Sequence, residues 1–495
     1  MRIAPRPLSA AAALAALLTA GCVVGPDFKR PAAPTVTAYV DHPLATTAAS
    51  PGVVGGDAQR FVTGGDIPAD WWTLFHSRPL NDLIARALAN NPNLKAAEAA
   101  LAAARENSLA QRGNFLPHVS AGASVTRQQD PTGSLAPVPS SNASLYTLFT
   151  PQLSVSYVPD VFGLNRRTAE AAAAQAEGVR YQLIAADISL SANVAAAAIQ
   201  DASLEDQVYA TRQLIDINRK MLDIIQYQSR KGYASGVDLA AQQSQLAQVT
   251  AALPPLLKQL EQQRNLIAVL TGRFPSEAPP EKFTLATLIL PRDLPVSLPS
   301  TLVAQRPDVL QAEANLHAAS AQVGVATANR LPNIALTANA GSTALALGQV
   351  FGPGNGFWNI GAALLAPIFD GGTLLHQQRG ARAAYRQAAE QYRATVLTAF
   401  QNVADTLVAL DQDAAGLKAS AESARAARAS LDLSQLQVRD GYAGNLALLN
   451  AEQAYQQARI ALVQAQANRY ADTAALFQAL GGGWWHRPEL SQNVR

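Results

Sequence analysis

The sequence predicts a mainly α-helical chain with a transmembrane β-barrel part and two internal repeats. Two long stretches place an apolar residue at every seventh position, which indicates long helices packed side by side. Two other stretches are almost uncharged and alternate apolar with small polar residues, which indicates strands. A Gly-Tyr-Ala turn interrupts the apolar repeat in both halves, at Gly232 and at Gly441. This repeated order predicts that the two halves share one design.

The longest predicted helix spans residues 382–438, and the chain returns through residues 445–468 after a short turn. No proline lies in residues 382–468, and at about 1.5 Å per residue the outward run is about 85 Å long. Its seven-residue repeat consists of Val396, Val403, Leu410, Leu417, Ala424, Leu431 and Val438. Such a repeat is typical of helices that supercoil against neighbours. A soluble coiled coil would show the same pattern, so the helices alone leave the class of protein open.

An earlier pair of helices flanks the turn Gly232–Gly236. Its repeat consists of Val208, Ile215, Leu222, Leu239, Leu246, Leu253, Leu260 and Ile267. Glycine tolerates the positive φ angles that tight turns require. The chain is therefore predicted to hold two long helical hairpins.

A β-hairpin is predicted in each half, at residues 114–159 and at residues 331–369. The first contains only His118, Arg127 and Asp130 as titratable side chains outside tyrosine, and the second contains no charged residue. Strands of about ten residues with period two are long enough to cross a bilayer in a barrel. Four aromatic residues are candidates for the membrane interface: Tyr146, Phe149, Phe357 and Trp358. Two soluble β-hairpins are the alternative.

The N-terminus predicts an export signal at residues 1–21. Arg2 and Arg6 precede an apolar run from Leu8 to Leu18, which is followed by Thr19-Ala20-Gly21-Cys22. Small residues directly before the only cysteine resemble a lipobox, so Cys22 is the predicted site of lipidation. A plain signal peptide followed by an incidental cysteine is the alternative.

The other domain boundaries follow from composition. They are a lipidated N-terminal arm at 22–79, a first repeat at 80–274, a linker at 275–300, a second repeat at 301–480 and a C-terminal tail at 481–495. Residues 32–66 are rich in Pro, Ala, Thr and Gly, which predicts an extended arm rather than a packed domain. A first helix is expected from about Leu80 to Arg112.

Charge and motifs exclude several functions. The formal net charge is only +2 and no basic stripe with interleaved aromatics is present, which argues against a nucleic-acid partner. One cysteine excludes an internal disulfide framework and a cysteine-rich metal site. The sequence contains no phosphate-binding loop, no His-Glu-x-x-His pair and no Gly-x-Ser-x-Gly elbow. We therefore predict no enzyme activity, no catalytic residues, no cofactor and no metal site.

The predicted strands require more than one chain. Open strand edges in hydrocarbon leave unpaired backbone groups, and single-chain barrels need about eight strands. Three chains of four strands give twelve, whereas two give a barrel too narrow for much cargo. The long helices carry Arg425, Asp432 and Glu452, so they are expected to project into the periplasm. This geometry predicts a conduit rather than a catalyst.

Several motifs along the mature chain resemble those of the TolC/NodT outer-membrane efflux family, in its OprM-like lipoprotein branch. They are Cys22–Phe28 with Pro31, Arg306–Val309 with Ala312-Glu313, Pro367–Gly372, and Leu480–Trp484. The resemblance implies a palmitoylated homotrimer anchored in outer-membrane lipid, with a twelve-stranded barrel above a twelve-helix periplasmic tunnel. It also implies an exit duct of a tripartite pump, which receives drugs or other small toxic compounds from an inner-membrane RND-type transporter through a periplasmic adaptor. A protein-secretion duct and, less favoured, a periplasmic coiled-coil scaffold are the alternatives.

The resemblance also assigns roles to the two hairpin turns. In the family these turns form the periplasmic tip, where the adaptor docks and the resting channel narrows. The implied docking residues are Arg230, Gly232, Tyr233, Ser235, Gly236, Asp238, Arg439, Gly441, Tyr442, Gly444 and Asn445. The positions implied to narrow the pore are Ala447 and Asn450, where family members often carry acidic residues. The absence of carboxylates there predicts weaker block by cations, unless Asp440 or Asp238 supplies the charge instead. Packing of Asn450 within the coiled coil is the alternative to a role in the pore.

Overall fold

The computed structural model describes residues 23–42, 44–131, 144–278, 281–442 and 444–491. The predicted signal and Cys22 lie outside the described residues. The helices are α1 Arg78–Asn90, α2 Pro92–Gly113, α3 Leu164–Arg230, α4 Gly236–Leu270, α5 Pro299–Gln305, α6 Pro307–Ala328, α7 Thr373–Arg439, α8 Asn445–Ala479 and α9 Pro488–Ser491. The strands are β1 Arg60–Thr63, β2 His118–Gln129, β3 Leu145–Tyr157, β4 Asp293–Val296, β5 Asn333–Ser342 and β6 Gly356–Leu365.

The chain divides into two compact units. The first contains the described residues up to Pro31 together with Leu101–Val179 and Ala312–Tyr392, and the second contains Ala32–Ala100, Arg180–Gln311 and the rest from Arg393. Each unit is therefore built from segments of both halves of the sequence.

Corresponding helices in the two halves have equal lengths. Helices α2 and α6 each have 22 residues, α3 and α7 each have 67, and α4 and α8 each have 35. Helix α7 begins at Thr373, earlier than the apolar repeat indicated. The Asp370 carboxylate explains this start, because it accepts hydrogen bonds from the amides of Gly372 and Leu374, both at 2.8 Å. Such bonds satisfy amides that the first turn of a helix leaves free.

The predicted hairpin strands form one antiparallel sheet in the first unit, in the order β2-β3-β5-β6. Its register aligns like residues across all four strands. Ser120, Ser154, Asn339 and Asn359 form one row, and Val119, Val155, Ala338 and Ile360 form the adjacent row. Since neighbouring residues along a strand point to opposite faces, the sheet has one polar and one apolar face. The Asn339 side chain donates to that of Asn359 across 2.9 Å on the polar face.

Among the described residues, the two outer strands of this sheet are left uncovered. Along β6 every residue except Phe357 is exposed, and along β2 every residue except Gln128 is exposed. Strands β2 and β6 are also the two edges of the sheet, each with one unpaired side. Apolar side chains such as Ile360 and Leu364 are therefore left more than two-thirds exposed.

The prediction of a single helix from about Leu80 to Arg112 is wrong, because Asn91 interrupts the helix. Asn91 has ψ 123°, and α2 begins at Pro92. A residue before proline avoids the helical region, since the proline ring clashes with its backbone. The Asn91 side chain then accepts hydrogen bonds from the amides of Asn93 and Leu94. Arg306 and Pro307 separate α5 from α6 in the same way.

The prediction of an unpacked arm at residues 32–66 is wrong at Tyr39, whose hydroxyl donates to the Ser297 carbonyl at 3.0 Å, and from Thr47 onward. Strand β1 pairs in parallel with β4, which lies in the predicted linker. Buried Arg469, on α8, donates to the Thr47 hydroxyl at 2.9 Å and to the Gly55 carbonyl at 2.9 Å. Buried Gln59 donates to the Pro291 carbonyl. These contacts join the arm, the linker and α8 into the core of the second unit.

The predicted C-terminal tail also packs against this core. Trp484 is largely buried and donates to the Gln305 carbonyl at 2.7 Å. Arg487 pairs with Asp187 on α3 at 2.6 Å. Burial raises the pKa of Asp187 against the opposing effect of Arg487. The described part of the tail is thus a structural element of the second unit.

By length and composition, one described helix contains a window apolar enough to span a membrane. That helix is Leu164–Arg230, and 61% of the window is buried inside the protein. A buried core helix passes the same test, so the window carries little weight as evidence for a spanning helix.

Candidate functional site: the turns of the two helical hairpins

The first hairpin turn joins α3 to α4. The Tyr233 amide donates to the Gln228 carbonyl at 2.8 Å, and the Gly232 amide donates to the Ser229 carbonyl at 3.0 Å. Gly232 has φ +81°. This is a Schellman turn, which satisfies the last carbonyls of a helix and requires a left-handed residue. Helix α3 therefore ends before Gly232, because glycine adopts this left-handed conformation without strain.

The start of α4 is fixed by its own side chains. Ser235 is the N-cap residue, and its hydroxyl accepts from the Asp238 amide at 3.1 Å. The Asp238 carboxylate accepts in return from the Ser235 amide at 3.0 Å. These reciprocal bonds form a capping box. Hydrogen bonds from the Ser235 hydroxyl and amide lower the pKa of Asp238.

The second turn, between α7 and α8, repeats the backbone of the first. The Tyr442 amide donates to the Gln437 carbonyl at 2.8 Å, and the Gly441 amide to the Val438 carbonyl at 3.2 Å. Gly441 has φ +78°. Gly444 is the N-cap residue of α8 and provides no side-chain cap. The first helix of each hairpin thus ends in the same way, but only the first return helix begins with a side-chain cap.

Both turns expose aromatic, aliphatic and basic side chains. Tyr233 is 83% exposed and Tyr442 is 87% exposed. Val237 and Leu446 are also largely exposed, next to the helix starts. Arg439 pairs with Asp440 at 2.9 Å, and the hydrogen bond from that pair raises the pKa of the Arg439 guanidinium. Tyr and Arg are the residue types enriched at protein interfaces.

The two predicted constriction positions lie on one face of α8. Ala447 and Asn450 are exposed in the single chain and are separated by three residues, or nearly one helical turn. Leu448 and Ala451 on the other face are buried. The exposed face carries no carboxylate at these positions, so it presents an amide and a methyl group.

A group of apolar residues packs beneath the turns and is called the turn cluster below. Its members are Met221, Ile225, Leu431, Val438, Leu448 and Ala451. They come from α3, α7 and α8, so the cluster joins the two hairpins within the second unit.

Sequence reasoning missed three buried polar residues next to the turn cluster: Asn218 on α3, Gln242 on α4 and Glu452 on α8. The sequence showed only the side of α8 on which Glu452 lies, and not whether a neighbouring helix covers it. Glu452 lies four residues after Leu448 and three before Tyr455, on the side of the helix that faces the packing. Among the described residues, no group of three or more His, Cys, Asp or Glu side chains could hold a metal ion.

Residues 83–273 and 298–482 match the sequence profile of the family described as outer membrane efflux protein. The chain belongs to the outer membrane efflux protein family. The predicted family is thereby confirmed. The matched segments contain both helical hairpins and the strand pairs β2-β3 and β5-β6.

Named relatives agree with this assignment. The chain is 28% identical to the toluene efflux pump outer membrane protein TtgC of Pseudomonas putida over 478 residues, which cover 96% of this chain and 95% of TtgC. It is 29% identical to the pyoverdine export outer membrane protein OpmQ of Pseudomonas putida over 416 residues, covering 84% of this chain and 88% of OpmQ.

The fold agrees as well. The solved structure of the outer-membrane channel OprN superposes with a TM-score of 0.83 at 26% identity, covering 94% of this chain and 100% of OprN. The predicted TolC-like fold is thereby confirmed at the level of the chain. The protein is the outer-membrane channel of an efflux system and not an enzyme, as predicted.

Proposed function

We propose that three copies of this chain form the exit duct of a tripartite efflux pump, with two structural repeats per chain. Their sheets would pool into a twelve-stranded barrel, continued in the periplasm by a tunnel of the long helices. The repeat proposal is supported by the equal lengths of corresponding helices in the two halves.

One observation carries the trimer proposal: the sheet has a lipid-compatible face and two open edges. Edge strands β2 and β6 run in opposite directions, because each neighbouring pair in the order β2-β3-β5-β6 is antiparallel. The β6 strand of one copy can therefore pair in antiparallel fashion with β2 of the next. Hydrocarbon does not tolerate open strand edges, so the sheet must close through other copies. The apolar row at Ile360 would face lipid and the polar row at Asn359 would face the lumen.

The test combines mass, conductance and a matched pair of substitutions on β6. The mature protein extracted from outer membranes should have the mass of a trimer and form channels in a planar bilayer. Arginine costs about 2–4 kcal/mol on the lipid face of a barrel near the midplane, and much less in the lumen. Ile360→Arg should therefore lower recovery from the outer membrane, whereas Asn359→Arg should assemble and shift ion selectivity toward anions. A monomer without channels, or equal effects of the two arginines, would contradict the proposal.

The hairpin turns are proposed to dock a periplasmic adaptor that links the duct to an inner-membrane RND-type transporter. The support is the exposed Tyr233, Tyr442, Arg230 and Arg439 at the turns. Replacement of both tyrosines by alanine should abolish efflux-dependent resistance in cells while the trimer and its conductance persist. Unchanged resistance would mean that the tyrosines of the turns do not dock the adaptor.

Cargo of low molecular mass is proposed, such as drugs or other small toxic compounds. The names of the relatives TtgC and OpmQ refer to toluene efflux and pyoverdine export, respectively. Cys22 is proposed to carry the lipid anchor, in line with the lipobox-like residues before it. Mass spectrometry of the mature N-terminus measures this directly, and an unmodified cysteine would refute it.

The channel entrance is proposed to narrow at Ala447 and Asn450. Three symmetry-related asparagines lack the charge with which a carboxylate ring binds cations, so divalent cations should block the wild-type channel weakly. Asn450→Asp should increase this block in planar bilayers. Identical current and identical divalent block in the two proteins would exclude Asn450 from the constriction.

A further inference from the structure

One ionisable side chain lies inside the apolar packing beneath the second turn. Glu452, on α8, is 1% exposed. It directly follows Ala451 and lies one helical turn after Leu448, both members of the turn cluster. A carboxylate in such surroundings loses its hydration and is normally paired or neutral. Its position is not explained by docking or by the constriction, because neither requires a buried acid.

The carboxyl group of Glu452 has no hydrogen-bond partner of good geometry in the described part of the chain. Neither oxygen has a partner among the described residues, although the Gln242 amide approaches it from α4. Gln242 is itself fully buried, and its oxygen also lacks a partner among the residues described. Three acceptor oxygens without a partner, on two side chains, therefore lie in the same region of the packing.

The orientation of the Gln242 amide follows from its other contact. The Asn218 nitrogen donates to the Leu214 carbonyl at 3.0 Å, which leaves the Asn218 oxygen as an acceptor. The Gln242 nitrogen donates to that oxygen at 3.2 Å. The second hydrogen of the Gln242 nitrogen can donate to the Glu452 carboxylate, which favours the ionised form. The Gln242 oxygen only accepts hydrogen bonds, so an ionised Glu452 leaves that oxygen without a donor. A protonated carboxyl group supplies the missing donor.

Charged groups on the surrounding helices are exposed or already paired. On α3, Arg219 pairs with Asp216 at 3.6 Å, and Lys220 and Asp223 are exposed. On α4, Asp238 is held in its capping box. On α7, Arg428 pairs with Asp432 at 3.0 Å and stacks over the ring of Tyr455, the nearby phenol of α8. Burial consequently raises the pKa of Glu452 from 4.5 to about 7, with a smaller opposing effect of Gln242.

We propose that Glu452 is a proton-sensitive latch for the second hairpin. With its carboxyl group protonated, α8 packs closely against α3 and α4 beneath the turns. With the group ionised, the packed arrangement buries a charge without a partner, and the cost of separating the hairpins falls. This inference rests on the proposed function only in assigning the turns to the channel entrance, where separation of the hairpins would open the duct.

The direction of the pH effect follows from linkage. The packed state holds its proton up to about pH 7, whereas a hydrated glutamate loses it near 4.5. The packed state is therefore most stable below pH 4.5, the pKa of a hydrated glutamate. That stability is lost as the pH rises from 4.5 to about 7, the pKa of Glu452 in the packed state. The equilibrium between packed and separated states changes by at most about tenfold per pH unit, because one proton is involved.

The test measures hydrogen exchange of the full mature protein in detergent micelles, from about pH 5 to about pH 8. Peptides that cover residues 445–459 report on the packing of α8, after correction for the intrinsic exchange rate. The variants are Glu452→Gln and Glu452→Leu, which remove the charge with little change in volume. Glu422→Gln, an exposed glutamate on α7, is the matched control.

We expect the wild type and Glu422→Gln to lose protection in residues 445–459 as the pH rises, and both Glu452 variants to stay protected throughout. A wild-type profile that does not depend on pH would overturn the latch, and so would a Glu452 variant that retains the wild-type pH response. Either neutral variant suffices if the other does not fold. The exchange test requires no channel activity, so a protein that forms no channels would contradict the proposed function and leave this test intact.

Discussion

The two helical hairpins have the same backbone but different local stabilisation. Both consist of helices of 67 and 35 residues joined by a Schellman turn with a glycine at positive φ. The first hairpin begins its return helix with the capping box of Ser235 and Asp238, and the second has Gly444 and Ala447 at the equivalent positions. The first return helix contains Pro254 and Pro255, whereas the second contains no proline.

This difference shows that one backbone can be held by two kinds of contact. The first turn depends on local hydrogen bonds between neighbours in sequence. The second lacks a side-chain cap and depends on burial, because Leu448 is fully buried whereas the equivalent Leu239 is only partly buried. Local hydrogen bonds persist when helices separate, but burial does not. The second turn is therefore the one whose stability should respond to movement of the hairpins.

The largest effect should come from the equivalent leucines. Leu448→Ala should lower the free energy of local unfolding at the second turn by about 3 kcal/mol, since it removes a fully buried side chain and leaves a cavity. Leu239→Ala should cost clearly less at the first turn. Hydrogen exchange of peptides from both turns measures both values. Equal losses would mean that burial does not distinguish the hairpins.

A medium effect is expected from an exchange of the helix caps. Ser235→Ala should destabilise the start of α4 by about 1 kcal/mol, because the first amides lose their acceptor. The double substitution Gly444→Ser with Ala447→Asp should stabilise the start of α8, although by less, because glycine is itself a tolerable cap. Exchange rates in the first turns of α4 and α8 report the changes. A stabilised α8 together with unchanged efflux would show that the uncapped start is not required for function.

The smallest effect is expected from protonation of Asp238 at acidic pH. The pKa of Asp238 is lowered by its hydrogen bonds with Ser235, so its contribution to the first turn is present above the ordinary value of 3.8 and is lost as the pH falls through the folded value. Protection at the start of α4 should therefore weaken at strongly acidic pH, whereas Ala447 gives α8 no such response. Asp238→Asn serves as the control and should remove the acid dependence. An acid response of equal size in both turns would contradict the assignment to Asp238.

Strong periodic patterns made much of this protein predictable. Seven-residue repeats and Gly-Tyr-Ala turns indicated both helical hairpins, because long helices pack with neighbours through a regular apolar stripe. Alternation in two uncharged stretches indicated the strands, because each strand places successive side chains on opposite faces. The break at Asn91 is also encoded locally, because an Asn-Pro pair disfavours a continuous helix at that position.

Other features required the tertiary structure. The pairing of β1 with β4 joins residues far apart in sequence through strands of four residues each, which are too short to show a period. The buried Arg469 looks like any helix arginine until the arm residues Thr47 and Gly55 are brought to it. The same is true of Glu452, since burial depends on which helices surround a side chain.

By itself, the sequence determined the long helices, their turns and the four strands of the two stretches that carry little or no charge, and with them the expected class of protein. Those properties follow from local periodicity and from the conformational limits of glycine and proline, which each segment expresses without its neighbours. Only the tertiary structure decided the order β2-β3-β5-β6, the packing of the arm and tail, and the burial of Glu452. These depend on contacts between residues distant along the chain. A buried polar group loses its hydration, and only the fold decides whether another segment supplies a hydrogen bond in its place.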